Sequence, residues 1–156
     1  MLTLLVSMAL AASPGSAAGA TAPAPDATLP DRNTPLARAL ALRDGVPCAE
    51  LPVVAASELV AWTTPDLGPP WVSLRATACL AERFPDTAGR LALGWVGDPT
   101  RQGLVLAVLQ HEGSLPESMV IELGRAALAD TTLRPRVARF LRKSQRPAVQ
   151  ALLTAP

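Results

Sequence analysis

The stretch Trp71-Val72-Ser73-Leu74-Arg75-Ala76-Thr77-Ala78-Cys79-Leu80-Ala81-Glu82-Arg83-Phe84, followed at once by Pro85-Asp86, decides the fold. On a helix, Val72, Ala76, Cys79 and Leu80 take one side while Leu74, Ala78 and Ala81 take another. A helix apolar around most of its circumference is one that other elements bury. Upstream, Thr64-Pro65-Asp66-Leu67-Gly68-Pro69-Pro70 cannot continue a helix. Downstream, Pro85 suits the first turn of the next helix, which runs to Val96 before Gly97-Asp98-Pro99.

Working outward, the same punctuation recurs. Pro35 opens a first helix with Leu36, Ala39 and Leu40, which stops at Asp44-Gly45. Pro47 to Thr63 reads as one helix with Leu51, Val54, Ala55, Leu59 and Trp62 on a broad face. Thr100 to His111 carries Leu104, Val105, Ala107, Val108 and Leu109, closed by Glu112-Gly113-Ser114. Pro116 to Ala129 spaces Met119, Val120, Leu123, Ala127 and Leu128 at threes and fours. Thr131 or Thr132 can cap a helix through Lys143, and Ser144 a short last one with Val149, Leu152 and Leu153. Ala and Leu together number 54 against 13 for Val and Ile, and no stretch sustains a period of two. The expected class is all-α, with about seven or eight helices joined by short turns.

A period is also present. Trp62, Trp95 and Leu128 stand 33 residues apart, each at a helix end before a turn holding Asp66, Asp98-Pro99 or Asp130. Leu80, Leu109 and Leu141 follow in the next helices. With Leu74-Arg75 followed by Ala78 in the second helix of a unit, residues 50–142 resemble the HEAT-repeat class of α-solenoids, the short bacterial type in particular. That resemblance implies antiparallel helix pairs stacked side by side, within a repeat domain at 36–156. The alternative is an ordinary Ala/Leu bundle whose loops are evenly spaced.

Residues 2–12 form an apolar run about half as long as a membrane-crossing helix requires. Pro14-Gly15-Ser16 breaks it, and small residues follow through Ala20, so 1–20 reads as a secretory signal peptide. No Lys or Arg precedes the run, leaving only the α-amino group as positive charge. Four prolines within 21–35 predict an extended Pro/Ala-rich tether. The mature chain is then expected in the periplasm or outside the cell, without a transmembrane segment.

In that setting Cys48 and Cys79 are expected to pair, because their helices can form a hairpin. Two buried thiols are the alternative, and no Cys-x-x-Cys redox motif exists. His111-Glu112 begins a zinc-peptidase pattern, but position 115 is Leu115 and the chain holds no second histidine. No phosphate-cradling glycine motif or calcium loop is present, so no cofactor or metal is expected. A small hydrolase using His111 with Ser114, Ser118 or a carboxylate is the enzymatic alternative.

Charge is unevenly spread. After Asp130 no acid occurs, yet Arg134, Arg136, Arg139, Arg142, Lys143 and Arg146 supply six cations; residues 1–130 hold eight cations against thirteen acids. Arg136, Arg139, Lys143 and Arg146 fall three and four apart, so a helix would present them on one face beside Arg142. The sharp reading is a docking stripe for an acidic protein or anionic surface; the plain one is a solvated outer face. Nucleic acid is not expected, since no aromatic stacking residues interleave the cations. The sequence therefore points to an exported, non-enzymatic helical-repeat module for protein–protein interaction.

Overall fold

A computed structural model describes residues 29–53 and 55–154. The apolar run, its small-residue break and most of the 21–35 tether lie outside the described residues. Eight α-helices are present: α1 (Pro35–Ala41), α2 (Ala56–Ala61), α3 (Pro70–Arg83), α4 (Pro85–Trp95), α5 (Gln102–Gln110), α6 (Glu117–Ala129), α7 (Arg134–Leu141) and α8 (Pro147–Gln150). Short 3-10 turns add Cys48–Glu50, Pro65–Leu67 and Ala151–Leu153, and there is no strand among the described residues. The all-α expectation holds, and α3 begins one residue before the quoted stretch and ends one residue short of Phe84.

Several local readings need correction. The tether does not extend to residue 35: Thr34 caps α1, its Oγ1 accepting from the Ala37 N–H at 3.1 Å, with Pro35 preset for the first turn. Pro47–Thr63 is not one helix. Pro52 has no N–H to donate and disfavours helical backbone at the residue before it, and Leu51 is accordingly extended (φ −65°, ψ 136°). Only α2 forms, with the Glu58 carboxylate accepting from the Ala55 N–H at 2.8 Å.

The cap before α7 is neither threonine. Asp130 Oδ1 accepts from the Thr132 and Leu133 N–H groups at 2.8 and 3.0 Å, and α7 starts only at Arg134. It ends at Leu141, so Lys143 and Arg146 lie beyond it. Ser144 Oγ accepts from the Arg146 N–H at 3.1 Å, one turn before α8, rather than capping a helix directly.

Packing runs in two series. α1 meets α3, α3 meets α5, and α5 meets α7; α4 meets α6, and α6 meets α8. Between the series, α3 packs on α2 and α4, α4 on α5, and α6 on α7. Leu40, Leu59, Leu80, Leu109, Leu123, Leu133 and Leu141 are fully buried in one continuous core. Each such side chain withdrawn from water contributes on the order of 1.5–3 kcal/mol. Trp62 and Trp95 are buried, whereas Trp71, beside Pro69-Pro70, is 43% exposed. α4 and α6 approach closely because residue 89 is glycine: a Cβ there would lie 2.3 Å from Met119 Cγ.

Among the described residues, every side-chain hydrogen bond joining groups more than six residues apart spans 30 to 36 residues. The turns after α4 and α6 illustrate the interval. Asp98 Oδ1 accepts from the Thr100 N–H and hydroxyl at 2.9 and 2.7 Å, and Asp130 repeats this with Thr132. Gln102 Nε2 then donates to Thr132 Oγ1 at 2.7 Å, tying one turn to the next.

Hydrogen bonds from the Thr100 hydroxyl and then its N–H hold the Asp98 carboxyl below its ordinary 3.8. The Thr132 hydroxyl, followed by the Leu133 and Thr132 N–H groups, does the same to Asp130. Depressed carboxyls stabilise the fold at pH values above the unfolded chain's value and cease to do so as pH falls through the lower folded value. An Asp98→Asn/Asp130→Asn chain is therefore expected to melt below the parent at pH 7. The gap between the two melting temperatures should close progressively as pH falls below the ordinary 3.8 and through the lower folded values. A difference independent of pH would contradict this assignment.

Candidate functional site

α7 buries Val137 and Leu141 completely, which leaves Arg136 and Arg139 exposed and Phe140 half-buried at the edge of the core. Beyond the helix, the Arg142 and Lys143 N–H groups still donate to the Ala138 and Phe140 carbonyls at 3.2 and 2.9 Å. Lys143 therefore keeps the helical register although α7 has ended. α5 buries Leu104, Val105, Val108 and Leu109, leaving Gly103 and Gln110 exposed and Leu106 half-buried at the edge of the core. Between these two outer faces lies a cleft of about 230 Å³ lined by Leu106, Gln110, Arg136, Arg139, Phe140 and Lys143.

Three of the five expected cations thus share one depression with an apolar floor. None of Arg136, Arg139 and Lys143 is paired with a carboxylate among the described residues. Arg142 is exposed beside the cleft without lining it. Arg146 has a different task, because the chain has left the helix before reaching it. Its guanidinium donates to the Leu115 carbonyl at 3.0 Å and the Gly113 carbonyl at 3.3 Å. Arg134 is likewise occupied, donating from Nε to the Leu128 carbonyl at 2.7 Å.

The surroundings sharpen the field. α1, α3, α5 and α7 together contain one acid, Glu82 near the end of α3, whereas α4 and α6 contain Asp86, Glu117 and Glu122. Unpaired guanidinium and ammonium groups set against low-dielectric apolar walls attract anions more strongly than the same groups on an open surface. Arginine offers carboxylates a planar two-pronged donor, while lysine acts as a point charge. Leu106 and Gln110 were not singled out from sequence, although their offset from the buried α5 positions was the available signal.

The Cys48 and Cys79 Sγ atoms are at bonding distance, 1.96 Å, with Cα atoms 5.0 Å apart. They join the 3-10 turn after α1 to the buried side of α3. Arg83 reinforces that junction, donating to the Cys48, Leu51 and Val53 carbonyls at 3.3, 3.0 and 2.8 Å. His111 sits half-buried just after α5, and no side-chain hydrogen bond joins it to the exposed Ser114 or Ser118 among the described residues. No group of three His, Cys, Asp or Glu residues is placed to hold a metal ion among the described residues. No described helix is long and apolar enough to cross a membrane.

Comparison of the chain with protein-family models, curated proteins and solved structures finds no match.

Proposed function

We propose that this chain is an exported helical-repeat protein, a short HEAT-like solenoid, that binds an acidic protein partner at the α5–α7 cleft. The single observation carrying the binding role is the convergence of Arg136, Arg139 and Lys143, unpaired, on a depression floored by Leu106 and Phe140. Cations without a carboxylate partner in their own chain can meet one on another molecule, and charge complementarity favours that association.

The solenoid arrangement draws support from two features. Helices follow one another in two series, and polar cross-links recur at about one repeat length. Export draws support from the apolar run at 2–12 and from a cysteine pair at bonding distance, a bond typical of oxidising compartments.

The test is an Arg136→Glu/Arg139→Glu/Lys143→Glu chain, which alters only exposed side chains of the cleft. Its melting temperature is expected to stay within a few degrees of the parent. Binding of a fluorescein-labelled Glu/Asp-rich peptide, followed by anisotropy, is expected to weaken at least about thirtyfold. Parent binding should also fall steeply as salt rises. Equal affinity of parent and variant would overturn the assignment.

A further inference from the structure

Four large apolar side chains are exposed among the described residues: Leu29, Leu42, Trp71 and Leu74. Three of them gather where α3 begins beside the end of α1. Trp71 Nε1 donates to the Ala41 carbonyl at 3.3 Å, which sets the indole next to Leu42. Leu74 is one helical turn further along α3 and 40% exposed.

This apolar patch is continuous with the cationic cleft. The link is Gly103, the first outward position of α5. A Cβ built there would touch only Leu74 Cδ2, at 3.7 Å. Leu106 follows Gly103 by one turn of α5 and is itself a wall of the cleft. Across α3, α5 and α7 the surface therefore runs from Trp71 and Leu74, over bare backbone at Gly103, to Leu106 and then Arg136, Arg139 and Lys143. α5 and α7 carry no acid, and the single acid of α3, Glu82, lies three turns from Trp71.

We infer that the partner is an extended acidic peptide segment carrying a bulky apolar side chain. Its carboxylates would occupy the α5–α7 cleft, and its apolar anchor would cover Trp71 and Leu74. This rests on the proposed binding role and adds the chemistry of the bound segment. Charge complementarity selects the acidic part, and the exposed indole and leucine select the anchor, since burying apolar area is what gives such a contact affinity. A concave floor with Gln110 among its walls suits a peptide, whose backbone can exchange hydrogen bonds with the amide, better than a flat bilayer.

The experiment selects binders from displayed random dodecapeptides with the full chain as bait, then measures the enriched peptides, resynthesised without tryptophan. Enriched sequences are expected to combine several Asp/Glu with a Leu, Ile or Phe to one side. Trp62 and Trp95 are buried, so acrylamide quenching of the parent reports chiefly on Trp71. Bound peptide should shield it and shift its emission to the blue. Replacing the peptide's anchor by serine, or introducing Leu74→Ser or Gly103→Glu in the protein, should weaken binding about tenfold and abolish the shielding. The Arg136/Arg139/Lys143 reversal should remove binding altogether.

Acidic peptides that bind at the cleft yet leave Trp71 quenching unchanged would overturn the anchor while leaving the acidic-partner reading intact. Selection of peptides without carboxylates would overturn both. Vesicles of phosphatidylglycerol that shield Trp71, and that no selected peptide displaces, would assign the surface to a membrane and overturn the peptide.

Discussion

A Cys48→Ala/Cys79→Ala chain is expected to melt on the order of 10–20 °C below the parent under non-reducing conditions. The bond closes a segment of 31 residues, and the chain-entropy account assigns about 3–4 kcal/mol to a loop of that size. The native side adds a second contribution. Residues 42–53 contain one 3-10 turn and no α-helix, so little of this stretch is fastened by its own backbone. Without the bond, the segment is held by the guanidinium groups of Arg83 and Arg75 and by the buried side chains of Leu51 and Val53. Far-ultraviolet ellipticity at room temperature should stay near the parent value, because α3 to α8 do not depend on the bridge for their helical pairing. The parent treated with reductant should melt with the variant. A shift under about 3 °C would show that the bridge restrains neither the folded nor the unfolded chain.

Arg75→Met is expected to destabilise the fold by about 2–3 kcal/mol and to release α1 first. α1 has seven residues, too few to persist as an isolated helix. Its last carbonyls need partners, yet the residue after it, Leu42, is extended and no glycine cap follows directly. Arg75 supplies them from α3: Nη1 donates to the carbonyls of Ala39 and Leu40 at 3.4 and 3.0 Å and to that of Leu42, and Nη2 to that of Arg43 at 3.2 Å. The cation also meets the negative end of the helix dipole. Hydrogen exchange of peptides covering 35–43 should accelerate far more than exchange in α6. Arg75→Lys should recover only part of the loss, because one ammonium cannot reach four carbonyls in a fork. Uniform acceleration across the chain would place the effect in the core instead. Gly45 belongs to the same device: at φ +76° it turns the chain under the guanidinium, where a Cβ would come within 2.9 Å of Nη2.

These clamps show where sequence reading stops. α3, α5 and α6 were legible because their apolar positions recur at helical spacing over long spans and proline or glycine marks their ends. The cysteine pair was legible because export was expected and the chain offers Cys48 one possible partner, Cys79. Pro47–Thr63 was misread because its apolar residues also fit a helical face. The lone Pro52 in the middle outweighed that fit, since a missing donor and a crowded neighbour act on the backbone directly. Of the cationic stripe, Arg136 and Arg139 on α7 and Lys143 just beyond it line one cleft. Arg146 follows the same spacing, but the helix had already ended, and its partners are backbone carbonyls. Carbonyl acceptors carry no residue signature, so arginines that fasten loops look identical in sequence to arginines that greet a partner.

The reach of those polar fastenings sets how the body yields under load. No described side-chain hydrogen bond reaches further than 36 residues, so among the described residues those near Cys48 and those near Ser144 share no hydrogen bond or bridge. Strain applied at one extremity is then passed along neighbour by neighbour, as through the leaves of a spring.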